Sequence, residues 1–526
     1  MKNNEIKLYD STLRDGAQTK GVNFSLDDKI RIFNILSEIG LDYIEGGWPG
    51  ANPTDDKFFK TVKSSRASKL VAFGMMRKKA KSASNDPGLN SVLNSGVSAA
   101  CLVGKAWDFQ VKNALKVPLS ENLDMISDSI NYASSRLEEV MFDAEHFFDG
   151  FKDNSDYALS CLKRAHDSGA KWLILCDTNG GTLPFELKKI LSEVKKIIPL
   201  ENVGVHFHND SDNATYNSIE SIRNGVKQVQ GTFNGLGERC GNANLVNVVA
   251  NLVLKMDYDC KLKKKIKKLT TVSRLIDETL NRQSVKNLPF VGSSAFAHKG
   301  GLHISAVEKN PKCYEHINPE RIGNERVLVV SNQSGKSNVI NKLKKFDIDV
   351  KGKEKKILDF LELIKKQEFL GYAYDGAEAS FELLAKRKFQ NFKEFYSLES
   401  FEVSDKKIKN DKGKFLPFSK ARVKIQVGRK NFNSEAKGNG PIHALDNALR
   451  KALENYYPNL KGLNLIDYKV RILTPQDGTK ALVRVRIESS NDKQLTWSTI
   501  GVSYNVVDAS YIALNDSITF HLLKSK

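Results

Sequence analysis

The chain has 526 residues, 40% of them hydrophobic and 27% charged, which is enough to bury a full core and too much for one ordinary domain. The net charge of +19 comes from 81 Lys+Arg spread along the sequence against 62 Asp+Glu. No zinc-finger spacing or RNA-binding signature accompanies these cations, so they read as a solvated basic surface that attracts anionic substrates, and nucleic acid is not expected as a partner.

The N-terminal stretch MKNNEIKLYD has no apolar signal region, and no 18-residue apolar span occurs in the chain. A cytoplasmic protein with no membrane segment is expected. Up to about residue 275, short apolar runs rich in β-branched residues alternate with helical patterns. There are eight such runs: Ile6–Tyr9, Tyr43–Glu45, Leu70–Phe73, Ala99–Val103, Glu139–Phe142, Trp172–Cys176, Val203–Phe207 and Val226–Gly231. Leu26–Ile39 and Leu187–Ile198 have helical period. The first of these opens after Ser25, an N-cap residue, and stops at Gly40, a C′ glycine. Alternating strands and helices imply a parallel sheet, and eight units in about 250 residues suit a (β/α)8 TIM barrel. A doubly wound sheet is the alternative, but no Gly-x-Gly-x-x-Gly follows the first run. The six cysteines are scattered without a Cys-x-x-Cys pair, and Cys101 and Cys176 fall inside strand-like runs as small hydrophobes.

Residues 276–395 read as a helical, Lys-rich linker or lid, with charged stretches at Lys351–Lys356 and, just beyond, at Lys406–Lys414. Ser334-Gly335-Lys336-Ser337 mimics the end of a phosphate-binding loop, but Val330 stands where its first glycine belongs, so nucleotide hydrolysis is rejected. Residues 396–526 read as an α+β domain. Strands are expected at Ala421–Val427, Tyr468–Leu473 and Ala481–Ile487, and helices at Pro441–Leu453 and Val506–Leu514. GNGPIHALDNAL and GVSYNVVDASYIAL resemble each other, suggesting two ββα-like halves. Their glycine-led helix starts suit either carboxylate binding or plain capping.

The strongest chemical signal is His206-Phe207-His208-Asn209-Asp210 at the end of the seventh run. Residues two apart in a strand share a face, so both imidazoles project together where a barrel keeps its active site. A divalent metal held by His206 and His208 needs a carboxylate as well. Asp15, in DSTLRDG after the first run, is the best candidate, with Asp10 as its rival or a local turn residue. Arg14 offers a planar cationic fork for an enolate or carboxylate oxygen, or else a surface ion pair. Glu145 and His146 end the fifth strand, Asp177-Thr178-Asn179-Gly180-Gly181 ends the sixth, and NGLGERCGN follows the eighth. Ionisable and polar groups thus gather at the C-terminal ends of five strands. Two imidazoles with a carboxylate suit zinc, manganese or cobalt, and magnesium less well.

TLRDGAQ, DYIEGGWPG, FDAEHFFDG, LCDTNGG, VHFHND, GERCGNANL and AFAHKGGLH together resemble the DRE-TIM metallolyases, and the C-terminal region resembles the regulatory domain of 2-isopropylmalate synthases. IEGGWPGANPTD, FDAEHFFDG and FAHKGGLHISAV are most similar to the long-form (R)-citramalate synthase family. The resemblance implies condensation of acetyl-CoA with a small 2-oxo acid, pyruvate before 2-oxoisovalerate. A metal-dependent lyase or aldolase is the alternative from another class, disfavoured by the regulatory-type domain. It implies Asp15, His206 and His208 as metal ligands, with Asn242 as a weaker fourth. Arg14 would polarise the ketone, and Asp15 and Thr178 would help hold the substrate. Glu145, His303 and Tyr314 resemble the groups assigned to deprotonating the acetyl methyl, and His298 and Lys299 would serve the acyl-CoA side. A homodimer and feedback by isoleucine or leucine at the C-terminal domain are also implied. Two positions depart from relatives. Ala17 replaces a common Glu, and Asp143 replaces the Tyr of a short-form type, so the pocket wall is not the one that type uses for pyruvate.

Overall fold

Each of the eight apolar runs becomes a strand in the computed structural model, which describes residues 5–63, 68–280, 282, 284–329, 336–409, 415–492 and 495–525. The strands are β1 (Lys7–Asp10), β2 (Tyr43–Gly47), β3 (Lys69–Met75), β4 (Ala99–Lys105), β5 (Glu139–Glu145), β6 (Trp172–Asp177), β7 (Val203–Phe207) and β8 (Gln228–Gly231). All pair in parallel in sequence order, and β8 closes on β1 with Asp10 opposite Gly231, giving a closed barrel. Alternation explains the two layers of core. Tyr9, Val71, Phe73, Cys101, Met141, Ile174 and Cys176 fill the interior. Leu8, Ile44, Leu70, Ala72, Leu102 and Leu173 face the surrounding helices.

Local chemistry sets the helix ends as expected. Asp28 N–H donates to Ser25 Oγ at 3.1 Å and Ser25 N–H donates to the Asp28 carboxylate at 2.9 Å, which is a capping box for Leu26–Ile39. Gly40 ends that helix at φ 89°, a left-handed conformation that favours glycine. The barrel floor is closed by Glu139, whose carboxylate accepts from Tyr43 Oη at 2.8 Å, Lys69 Nζ at 2.5 Å and Lys171 Nζ at 2.7 Å.

The described chain divides into two compact units. The barrel unit runs to Phe296 and takes back Ile317–Arg326, while the second unit holds Ala297–His316 and everything from Val327 onward. In the second unit β9 (Ala297–His298) pairs with β10 (Val327–Leu328). Helices Lys336–Lys345, Glu354–Phe369 and Glu378–Phe389 follow. Two antiparallel three-stranded sheets come next: β11 (Ser397–Lys409), β12 (Phe415–Val427) and β13 (Lys430–Gly438), then β14 (Asn464–Ile472), β15 (Val483–Ser490) and β16 (Thr496–Ser503).

Each sheet is followed by one helix, Pro441–Leu453 or Val506–Lys524. The halves are therefore βββα rather than ββα. β11, β13 and β16 stand outside the expected strands, and in β13, KNFNSEAKG, the partly buried alternate positions Phe432, Ser434 and Ala436 make only a weak hydrophobic period. The charged stretch expected as a linker at Lys406–Lys414 is instead the end of β11 as far as Lys409, and its remainder lies outside the described residues, as do Ser334 and Gly335. The second glycine-led helix start resolves to capping, because Asn505 Oδ1 accepts from Val507 N–H at 2.8 Å. Among the described residues no helix is long and apolar enough to cross a membrane.

Candidate functional site

The C-terminal ends of β1, β7 and β8 carry the candidate ligands. His206, on β7, and His208, just after it, are 5% and 7% exposed, with ring centroids 5.3 Å apart. His206 Nε2 lies 3.3 Å from Asp15 Oδ2. A backbone bridge pairs His208 with Asn242, which carries the β8 loop over the site. Burial presses the Asp15 carboxyl upward, but Arg14 and the two imidazoles outweigh it and hold it below the ordinary carboxylate value. Burial and the neighbouring His206 push His208 down to about 4, so its imidazole is neutral and able to ligate.

Whether these groups fit a cation can be tested on their polar atoms. His208 Nδ1 is buried without a hydrogen-bond partner, and the buried Asn242 amide stands beside Asp15, whose carboxyl it helps hold down. A buried polar atom without a partner calls for a ligand. Among the described residues no group of three His, Cys, Asp or Glu is placed to hold a metal ion by itself. What fits a divalent ion is the chemistry of the donors: two imidazoles, a carboxylate and an amide oxygen.

Asp10, the rival carboxylate, anchors its own turn. It accepts from Thr12 N–H at 3.0 Å and Thr12 Oγ1 at 2.7 Å, and Thr12 Oγ1 accepts from Phe233 N–H at 2.9 Å. Arg14 is not a surface ion pair. Its Nη1 donates to Asp15 Oδ1 at 2.6 Å, its Nε donates to Glu45, and its guanidinium lies 3.9 Å over the Phe73 ring. Glu45 also accepts from Tyr9 Oη at 2.6 Å. Burial raises the Asp143 carboxyl to about 6.

Glu145 ends β5 and pairs with Lys105 at the end of β4. Thr178 Oγ1 accepts from His146 N–H at 2.9 Å. The Thr178 carbonyl accepts from Arg239 Nη2 at 2.7 Å, and Arg239 also forks onto Asp210. Asp177 accepts from Thr182 N–H at 3.0 Å, closing the loop after β6. Beside Glu145 a cavity of about 470 Å³ opens between the ends of β2, β3 and β4, walled by Trp48, Met75, Met76 and Leu115, with Lys78 and Lys105 at its polar side. An apolar slot with cations suits a thioester arm ending in phosphates.

Four other candidates belong to the second unit. His298 Nε2 lies 3.3 Å from Glu315 Oε1. His303 stacks on Tyr314 with centroids 4.0 Å apart. Glu45, Phe73, Lys105 and Gln230 were missed from sequence. The signal was available for the three polar ones, since Glu45, Lys105 and Gln230 lie at or near the C-terminal ends of β2, β4 and β8.

The loop carrying Asn242 depends on Gly241, whose φ is +88° and whose added Cβ would stand 1.9 Å from the Gly235 carbonyl oxygen. Gly241→Ala is expected to cost about 1–3 kcal/mol and displace Asn242. A lower Tm together with weaker metal retention checks this, and unchanged retention would separate the loop from the site.

The model described as HMGL-like matches residues 5–276, Homocitrate synthase post-HMGL domain-like matches 290–368, and LeuA allosteric (dimerisation) domain matches 375–522. The chain is 48% identical over 524 residues to an (R)-citramalate synthase of Aquifex aeolicus (strain VF5), covering 99% of this chain and 98% of that one. It is 41% identical to an (R)-citramalate synthase of Sulfolobus acidocaldarius, covering 99% and 97%. A 2-isopropylmalate synthase of the same organism is 33% identical, covering 63% of this chain and 83% of that relative.

Proposed function

The chain belongs to the (R)-citramalate synthase family, within the HMGL-like group, and from that premise we propose that it condenses acetyl-CoA with pyruvate and water to give citramalate and CoA. The observation that carries this reading is 39–48% identity to (R)-citramalate synthases across 98–99% of the chain. The enzyme is an acyltransferase that turns the acyl group into an alkyl group on transfer.

A thioester methyl is a poor acid, so a base must take its proton while the 2-oxo acid waits as electrophile. HMGL-like enzymes of this kind depend on a divalent metal. Asp15, His206, His208 and Asn242 would hold it, and when bound it supplies Lewis-acid polarisation of the keto group. Arg14 presents its fixed guanidinium to the oxygen that becomes alkoxide. Thr178 and Asp15 orient the substrate. Glu145, His303 and Tyr314 are the candidates for taking the methyl proton. The resulting enolate carbon bonds to the keto carbon, and water cleaves the thioester to release CoA. The cavity beside Glu145 suits the acyl-CoA arm, with His298 and Lys299 serving the same substrate.

Three segments divide the work: a barrel to about 275, a linker to 395 and a regulatory domain to 526. The LeuA-type domain supports dimerisation and allosteric control. We assign the enzyme to the pyruvate route to isoleucine, with isoleucine before leucine as effector. The metal is zinc, manganese, cobalt or magnesium. A cytoplasmic setting would keep the chain's thiols reduced.

Free CoA thiol, followed with acetyl-CoA and either pyruvate or 2-oxoisovalerate, tests the reaction. Release with pyruvate is expected. Release mainly with 2-oxoisovalerate would move the enzyme to isopropylmalate synthesis, and release with neither would leave a lyase. Isoleucine should raise the Tm of the intact enzyme and slow it. If neither amino acid does so, the regulatory assignment fails.

A further inference from the structure

One hydrogen-bonded chain crosses the barrel interior from β4 to β7. Cys101 Sγ donates to Asp143 Oδ1 at 3.0 Å, and Gln230 Nε2 donates to the same oxygen at 3.4 Å. Gln230 Oε1 faces His206 Nδ1 at 3.0 Å. Gln230 and Cys101 are fully buried, and Asp143 and His206 are 3% and 5% exposed. Register explains the last link, because His206 stands directly opposite Gln230 in the β7–β8 pair.

The donor and acceptor rules leave one assignment. An ionised carboxylate only accepts, so Gln230 must turn its NH2 toward Asp143 and its carbonyl toward His206. A carbonyl also only accepts, so His206 must carry its proton on Nδ1. A ring that ligates a cation is neutral, and with the proton on Nδ1 its lone pair is on Nε2, the nitrogen 3.3 Å from Asp15.

We propose that Gln230, held by Asp143, is a positioning residue that locks His206 in the tautomer able to ligate a divalent cation through Nε2. The proposal rests on the metal-site reading above. It also gives Asp143 a task unrelated to a substrate-facing wall: the carboxylate orients an amide. A partner that fixes the orientation of a ligating imidazole raises metal affinity.

The test uses the full-length enzyme with Co²⁺ as probe. Affinity is read by competition with a chelator and coordination by the visible absorption of the bound ion. Gln230→Met keeps the length and removes the acceptor, and should weaken Co²⁺ binding about 10–100-fold and alter the spectrum. Gln230→Glu alone sets two carboxylates against each other and should also weaken binding. Gln230→Glu with Asp143→Asn exchanges the amide and the carboxylate while keeping the pattern. The new amide at 143 donates to the new carboxylate at 230, which still accepts from His206, so most of the lost affinity should return. A purely packing role would not show that rescue. Unchanged affinity and spectrum in Gln230→Met, or no rescue in the double variant, overturns the proposal. Retention of Co²⁺ by His206→Ala/His208→Ala would overturn the metal-site reading along with it.

Discussion

Replacing both His206 and His208 by alanine is expected to remove the divalent ion and lower turnover by on the order of 10³-fold, while the barrel stays folded. Both rings are buried and close together, and one lies within 3.3 Å of the Asp15 carboxylate. With both imidazoles gone, only Asp15 and the neutral Asn242 remain, too few donors for a tightly held transition metal. The ion's charge stabilisation is worth several kcal/mol, and each 1.36 kcal/mol is tenfold in rate, which sets the expected loss. Metal content after desalting, read beside the thermal transition, decides the matter. An ion still bound at full stoichiometry would place the centre elsewhere.

Arg14→Lys is expected to lower kcat by about 10²–10³-fold, the equivalent of losing one preorganised donor, with a smaller change in the KM for pyruvate. The guanidinium reaches Glu45 and Asp15 at once and lies over the Phe73 ring. An ammonium is a point charge and cannot span both carboxylates while keeping a face on the ring. The cation therefore survives in Arg14→Lys but its aim does not. Steady-state kinetics with pyruvate at saturating acetyl-CoA separates the two. A loss confined to KM would make Arg14 a ground-state binder and remove its role on the developing alkoxide. The companion change Glu45→Ala leaves Arg14 and Tyr9 without their shared buried acceptor, and should destabilise the barrel by about 3–5 kcal/mol.

Much of this site was visible in the primary structure because it is local. Strand alternation, the capping box at Ser25 and the His206–His208 spacing each involve neighbours in sequence, and each appears in the fold. Asp10 and Asp15 could not be told apart locally. Asp10 ends β1 and Asp15 follows it, and only the hydrogen bonds from Thr12 show Asp10 anchoring a turn. The polar strand β13 escaped because its partly buried alternate positions are Phe432, Ser434 and Ala436, which make only a weak hydrophobic period.

The amino-acid sequence by itself determined the eight strands, the barrel they imply, the imidazole pair and the family. Tertiary structure alone decided which charge meets which. Arg14 and Glu45 stand 31 positions apart, and Gln230 and Asp143 stand 87 apart. Barrel closure makes each pair neighbours. Once side by side in an interior that water does not screen, a carboxylate, an amide and an imidazole are forced into single orientations, because any other arrangement would bury an unpaired polar group.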